Sequence, residues 1–180
     1  MRIKVVRGAI LLHWLMALLI AAAYATIELR ELFPKGSDPR EALKAWHFAI
    51  GTSIFALLWV RLLLRLALGS PRPERPPPKW QKLATGSVHL GLYLFMLAMP
   101  VLGWLTVSAA GDTVRWLGLE LPPLVGASDA QAERFEELHE AVGTIGYVLI
   151  VLHTGAALFH HFLLKDRVLA RMLPVRSSTA

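Results

Sequence analysis

Four apolar stretches, each long enough to cross a lipid bilayer, limit the folds open to this chain. Three of them contain no Asp, Glu, Lys or Arg, and these are Gly8 to Ile27, Leu83 to Gly111 and Ala141 to Leu164. The fourth, Ala45 to Val60, is extended by the leucines around Arg61 and Arg65. A helix needs about 20 apolar residues to span the hydrocarbon core. The sequence therefore predicts an all-α integral membrane four-helix bundle, a single domain over residues 1–180 with helices at about 8–28, 46–67, 83–110 and 129–170.

Charged residues alternate from one connection to the next. The two termini and the connection between the second and third stretches hold 13 of the 19 Lys and Arg residues, whereas the other two connections hold 11 of the 13 Asp and Glu residues. Connections rich in Lys and Arg stay on the cytoplasmic side of a membrane. We therefore expect both termini to lie in the cytoplasm. The net charge of +6 could suggest binding to nucleic acid, but its distribution indicates that the protein's partner is membrane lipid.

Local signals predict how the helices begin, bend and end. Pro71 to Lys79 is too rich in proline for a helix and predicts an extended linker. Pro100 predicts a kink in the third helix, and Ser128 with Gln131 matches a capping box at the start of the fourth. The first apolar run is too long for a signal peptide. Four tryptophans are expected at the membrane interfaces, namely Trp46, Trp59, Trp80 and Trp116.

Four of the seven histidines lie in or beside the apolar stretches at two matching depths. His139 and His153 are 14 residues apart on one predicted helix, which separates them by about 21 Å along the axis and about 40° around it. Counting along the other helices places His47 level with His139 and His13 level with His153. Two imidazoles at each of two levels are what a pair of six-coordinate haems requires. The sequence therefore predicts two haems, with His47 and His139 as the axial ligands of the outer one and His13 and His153 as those of the inner one.

Two further histidines leave an alternative open at the inner level. His89 and His160 also match in depth, so they are rival ligands for the inner haem. If they are not ligands, we expect them to form a quinone or proton site near the cytoplasm together with Lys165. His161 points elsewhere on the helix and is expected at the interface.

The residue types present exclude several other kinds of site. The chain has no cysteine, so thiolate-bound iron–sulfur clusters and covalently attached haem are excluded. Zinc is disfavoured because no carboxylate completes a tetrahedral site inside the membrane. Arg61 and Arg65 are candidates to pair with haem propionates, although arginines at a helix end also anchor it at the interface. Four glycines are expected either to admit a flat macrocycle or to let helices pack closely, namely Gly51, Gly143, Gly146 and Gly155.

The chain resembles the bacterial cytochrome b561 family, and within it the superoxide oxidase (superoxide:ubiquinone oxidoreductase) branch. The resemblance covers nearly the whole chain and rests on the segments LLHWLMALLIAAAY, VRLLLRL, HLGLYLFMLAMPVLGW, LHEAVGTIGYVLIVLHTGAALFHHFLLKD and RMLP. It implies two haem b groups in the bacterial inner membrane, bound by His13 with His153 and by His47 with His139. It also implies that superoxide is oxidised to dioxygen at the outer face, that ubiquinone is reduced in the membrane, and that no obligate protein partner is needed.

The charge of the outer connections bears on this substrate. Superoxide is an anion, and an anionic substrate benefits from a basic funnel, yet the two outer connections are acidic overall. The local candidates for a funnel are Arg30, Lys35, Arg40 and Lys44. Two other functions stay open: a haem-bearing subunit that passes electrons from a partner hydrogenase or dehydrogenase to quinone, and a transporter or metal-handling protein with histidines along its path.

Overall fold

Long helices dominate the structure. The computed structural model describes residues 2–68, 78–165 and 168–172. The long helices are α1 (Arg2–Leu29), α2 (Asp38–Leu68), α3 (Lys79–Ala109) and α4 (Asp129–Phe162), and a short helix α5 (Val168–Met172) follows them. Each of the four long helices is long and apolar enough to cross a membrane. The prediction of four helices capable of spanning a membrane is therefore confirmed for the described part of the chain.

Helices α1 and α3 begin a few residues earlier than predicted, and two other boundaries differ more. Helix α2 begins at Asp38, well before residue 46, because acidic residues in its first turn suit the positive end of the helix dipole and a proline is tolerated there. Helix α4 ends at Phe162 rather than near residue 170. Just beyond this end, Lys165 has a positive φ of 52°, a backbone conformation that cannot continue a right-handed helix.

The prediction of a capping box at the start of α4 is wrong. Ser128 is the N-cap, but its side chain makes no capping hydrogen bond. Its backbone N–H, which a capping box would direct to the Gln131 side chain, donates instead to the Ala109 carbonyl at 2.7 Å. This bond joins the start of α4 to the end of α3. Pro100 lies inside α3, which continues from Lys79 to Ala109, and residues 71–77 of the predicted linker lie outside the described residues.

A small hairpin between α3 and α4 was not predicted. Strands β1 (Arg115–Trp116) and β2 (Leu119–Glu120) pair antiparallel across Leu117 and Gly118. Both turn residues have positive φ, 51° and 81°, as the favoured two-residue hairpin turn requires. The Trp116 indole N–H donates to the Ser53 hydroxyl at 3.0 Å, so this tryptophan connects the hairpin to α2. The sequence predicted Trp116 at the membrane interface and did not predict this contact.

The helices pack as two pairs, α1 along α2 and α3 along α4, and the pairs meet less closely where α2 faces α3. The buried core joins α1, α2 and α3, and consists of Leu12, Met16, Ile54, Leu58, Phe95 and Met96. Many other large apolar side chains on the long helices are exposed, which is the pattern expected where lipid covers the surface. We call the end that carries residues 30–37 and 110–128 the loop end, and the end that carries residues 78–82, 163–165 and 168–172 the tail end.

Candidate functional site

His47 and His139 face each other near the loop end. Their ring centroids are 6.1 Å apart, and the ring planes are inclined by 76°. The Nδ1 atom of His47 is 2.9 Å from the Ala23 carbonyl. Because a carbonyl oxygen only accepts hydrogen bonds, Nδ1 must carry the hydrogen, and the lone pair of a neutral ring is then on Nε2. A backbone carbonyl on the far nitrogen is the usual second partner of a metal-binding histidine.

His139 is held in α4 with little space around it. A Cβ atom at Gly103 would lie 3.2 Å from its Cε1 atom, so the glycine makes room for the ring. The Nδ1 atom is buried and has no hydrogen-bond partner among the described residues. Buried nitrogen atoms usually have such a partner, and this one is at a position where a ligand for a metal is expected.

Three imidazoles meet nearer the tail end. The ring centroids of His13 and His153 are 6.1 Å apart, and those of His89 and His153 are 5.3 Å apart. Helix α4 therefore supplies one ring to each level, His139 and His153. The other three rings come from α1 (His13), α2 (His47) and α3 (His89). The pairs matched by depth in the sequence, His47 with His139 and His13 with His153, lie together in three dimensions. The predicted match of His89 with His160 is wrong, because His89 lies beside His153 and His160 contacts Gln81, eight residues before His89 on α3.

The separations of the rings test whether a haem iron fits. A metal–imidazole bond is about 2.0 Å long, and the ring centre lies roughly 1.1 Å behind the nitrogen, so two imidazoles on opposite sides of one metal have centroids about 6.2 Å apart. The His47–His139 and His13–His153 pairs, both at 6.1 Å, match this value. The His89–His153 pair at 5.3 Å is too close. The geometry therefore favours His13 over His89 as the partner of His153.

The number of ligands at each level also favours haem over a bare metal ion. Within residues 2–68, 78–165 and 168–172, no three His, Cys, Asp or Glu side chains are grouped closely enough to hold a metal ion. Two imidazoles suffice only when the metal brings its other ligands with it. Haem iron does so, because the porphyrin supplies four nitrogen atoms.

The remaining polar residues of the predicted sites are spread along the tail half of the bundle. His160 is 2.7 Å from the Gln81 amide nitrogen and so links α4 to α3, and Lys165 is exposed just beyond α4. Arg61 acts electrostatically on His13, His89 and His153, and Arg65 acts on His89 as well. Arg65 also donates to the Tyr93 hydroxyl at 3.2 Å.

An aromatic layer that the sequence reasoning missed separates the two levels. Tyr24 stacks on Phe95 with nearly parallel planes, and its hydroxyl donates to the Gly143 carbonyl at 2.7 Å. A Cβ atom at Gly146 would collide with the Phe95 ring and the Tyr24 hydroxyl. Gly146 is seven residues from both His139 and His153, and this midway position is the signal that was available in the sequence.

The basic residues predicted to guide superoxide are only partly free to do so. Arg30 and Arg40 both bind Glu31, at 3.0 and 2.9 Å, and Arg40 also donates to backbone carbonyls of the same loop. Lys44 lies over the Phe48 ring. It lines a hollow of about 420 Å³ at the loop end, whose wall also includes Glu41, Asp112 and Arg115. The hollow has charges of both signs.

Spanning helices with facing imidazoles at two depths define the class of membrane cytochromes that hold haem without covalent bonds. The comparisons with known proteins agree. The family model described as prokaryotic cytochrome b561 matches residues 5–175, and the chain belongs to this family. Its members are multi-pass membrane proteins that bind haem b and transfer electrons.

Relatives of known sequence align over almost the full chain. Cytochrome b561 homolog 1 of Escherichia coli is 38% identical over 167 residues, which cover 93% of this chain and 95% of the relative. A protein of Yersinia pestis named probable superoxide oxidase CybB is 34% identical over 166 residues, 91% and 92% of the two chains. Cytochrome b561 homolog 2 of Escherichia coli is 30% identical over 167 residues, 92% and 89% of the two.

Proposed function

We propose that this protein is a di-haem cytochrome b that transfers electrons from superoxide, on the outer side of the bacterial inner membrane, to ubiquinone. Two superoxide anions each lose one electron and become dioxygen, and one ubiquinone takes up the two electrons and two protons. The observation that carries the proposal is the pair of facing imidazoles at each of two depths, both with centroids 6.1 Å apart. The substrates are proposed from the resemblance to the superoxide oxidase branch and from the relative that carries that name.

The four histidines have distinct tasks in this proposal. His47 and His139 hold the haem at the loop end, and His13 and His153 hold the one at the tail end. A haem iron between two imidazoles carries one electron at a time and has no open position for oxygen. The bond from His47 to the Ala23 carbonyl fixes the orientation of that ring.

The residues around the tail-end pair supply charge and protons. Arg61 is a cation beside the three imidazoles and is suited to a haem propionate, a task for which Arg65, bound to Tyr93, is the second candidate. We propose that His160, His89 and Lys165 serve the quinone or its protons on the cytoplasmic side. At the loop end, the hollow beside Lys44 and Arg115 is the place where a small anion would approach.

A spectrum and two rates test this function. The purified protein is expected to show a Soret band, with two haems per chain. Superoxide generated by a radiation pulse is expected to reduce the haems rapidly, and ubiquinone is expected to reoxidise them. If superoxide does not reduce the haems while quinone still reoxidises them, superoxide is not the electron donor. The assignment of the protein as a haem-binding cytochrome would still hold.

The other candidate donor is a partner enzyme. Cytochrome b561 homolog 1, the 38% identical relative, carries no substrate in its name, and Arg30 and Arg40 are held by Glu31 rather than standing free for an anion. A subunit that serves a hydrogenase or dehydrogenase would co-purify with it in fixed proportion. Purification under mild conditions therefore separates the two proposals.

A further inference from the structure

A lipid-facing groove runs between α2 and α3, which pack less closely against each other than the two helices within each pair do. It has a volume of about 650 Å³, within the range of small-molecule sites. Helix α2 contributes Leu58, Trp59, Leu62, Arg65 and Leu66, and α3 contributes Gly86, His89, Leu90, Tyr93, Leu94 and Leu97. The spacing of three and four residues on each helix makes each set a single face.

Three polar side chains lie within this otherwise apolar groove. Arg65 donates a hydrogen bond to the oxygen of Tyr93 at 3.2 Å. Because a guanidinium group accepts no hydrogen bond, the hydrogen of the Tyr93 hydroxyl is left available to a ligand. His89 is one turn from Tyr93 on the same face of α3, and its ring is 5.3 Å from that of His153.

We propose that this groove binds the head group of the membrane quinone, with the Tyr93 hydroxyl donating to one of its carbonyl oxygens. The inference rests on the proposed function, in which quinone is the electron acceptor. A quinone dissolved in the membrane reaches the groove sideways, and Leu90 and Leu94, 60% and 56% exposed, offer an apolar path for its isoprenoid tail. The rate of electron tunnelling falls steeply with distance. A site that includes His89, whose ring lies beside that of His153, is therefore suited to an electron acceptor.

The depth of the polar groups favours a quinone over a phospholipid. Tyr93 is 14 residues beyond Lys79, where α3 begins, which corresponds to about 21 Å of helix. A phosphate group would bring a full negative charge into an apolar groove in which Arg65 is the one Lys or Arg among the lining residues, and an intramembrane charge is costly. A neutral quinone carbonyl needs only a hydrogen-bond donor, and the Tyr93 hydroxyl provides one.

The reaction balances without a further reactant. Each quinone accepts two electrons, delivered singly from superoxide through the proposed haems, and two protons from water on the cytoplasmic side. Both carbonyl oxygens become hydroxyl groups, and the quinol leaves through the opening by which the quinone entered.

Filling the groove is the first test. A Cβ atom at Gly86 meets nothing within 4 Å, so Gly86→Leu places a side chain in the groove without a collision. The purified holoprotein is pre-reduced, and its reoxidation by ubiquinone-1 and the amount of ubiquinone it retains are measured. Gly86→Leu is expected to raise the KM for ubiquinone-1 and to lower the retained ubiquinone, with both haem bands kept. The matched control is Gly8→Leu, which also meets open space but lies on α1 outside the groove.

Tyr93→Phe is the second test, and it decides the matter if Gly86→Leu fails to assemble with haem. Loss of one hydrogen bond is expected to raise the KM about fivefold with little change in the maximal rate. Normal quinone KM and retention in both variants would overturn the groove site while leaving quinone as the acceptor. Lower retention of phospholipid alone would assign the groove to lipid and would also overturn it. If quinone does not reoxidise even the unchanged protein, the proposed function itself fails and the groove site with it.

Discussion

At the scale of single residues, His47 shows how a backbone carbonyl prepares a side chain for a metal. Its bond to Ala23 joins α2 to α1 and fixes which ring nitrogen carries the hydrogen. The ring centroid is 6.1 Å from that of His139, a separation that suits one iron atom between the two rings. The structure thus gives His47 the backbone partner that a metal-binding histidine usually has.

Replacing His47 by Ala is expected to lower the haem content from two to about one per chain, because an axial nitrogen is lost. The pyridine haemochrome assay and the Soret absorbance measure the loss. His161→Ala serves as the control, since His161 is not one of the proposed ligands, and it is expected to retain both haems. Two haems in the His47→Ala protein would remove His47 from the ligand set.

Arg61 offers a second prediction at this scale. Its positive charge near His13 and His153 favours the reduced, less positive form of a haem at that level. Arg61→Gln is therefore expected to lower the reduction potential of one haem by tens of millivolts and to leave the other nearly unchanged. A spectroelectrochemical titration measures both potentials. Arg61→Lys keeps the charge and is expected to lie closer to the unchanged protein, whereas equal potentials in all three would show that Arg61 is remote from the haem.

At the scale of the helices, the aromatic layer explains how four helices hold two sites at a fixed distance. The Tyr24 hydroxyl reaches the Gly143 carbonyl on α4, and Phe95 on α3 fills the space beside Gly146. Both contacts lie between the levels of His139 and His153. They join α1, α3 and α4 at a depth between the two histidine levels.

Gly146→Ala is expected to destabilise the protein, because the added Cβ collides with the rigid Phe95 ring and the Tyr24 hydroxyl. Thermal denaturation followed at the Soret band is expected to show a lower midpoint, with a loss of about 1–3 kcal/mol. Gly8→Ala introduces the same methyl group on α1 in open space, and it is expected to be neutral or slightly stabilising because alanine favours a helix. Equal midpoints for the two variants would mean that α4 moves freely at Gly146.

At the scale of the whole molecule, the proposed haems lie between the helices and join them. His13 and His47 belong to the α1–α2 pair, and their partners His153 and His139 both belong to α4. The two pairs contact each other directly mainly along α2 and α3, and less closely than the helices within each pair do. Much of their association is therefore expected to depend on the cofactor.

Removing haem is expected to lower the melting temperature, because a ligand that binds only the folded state stabilises it. Protein produced under haem limitation and protein reconstituted with haemin are compared by circular dichroism at 222 nm. The reconstituted protein is expected to melt at the higher temperature. The same melting temperature with and without haem would show that the helices assemble independently of the cofactor.

The arrangement in the membrane is a further prediction at this scale. Since the chain contains no cysteine, single cysteines report their side of the membrane without interference. An impermeant maleimide applied to spheroplasts is expected to label Lys35→Cys in the first loop and not Ser177→Cys near the C-terminus. Permeabilised cells, in which both are expected to react, provide the control. Labelling of Ser177→Cys alone would reverse the proposed orientation.

Sequence reasoning reached most of the fold because each spanning helix satisfies its own backbone hydrogen bonds. Length and hydropathy therefore predicted all four helices, and the fixed rise per residue predicted the levels of His13, His47, His139 and His153. The hairpin around Trp116 and the end of α4 at Phe162 escaped prediction. Both depend on φ angles and on long-range bonds that no local pattern records.

The amino-acid sequence by itself determined the number of helices, the levels of His13, His47, His139 and His153, and the exclusion of thiolate chemistry, since these follow from the composition and from distances along the chain. Only the tertiary structure decided which imidazoles face each other, because His13 and His89 lie at the same level and differ in their position around α4. The groove that contains Tyr93 likewise belongs to two helices. It exists only because their faces fail to close against each other.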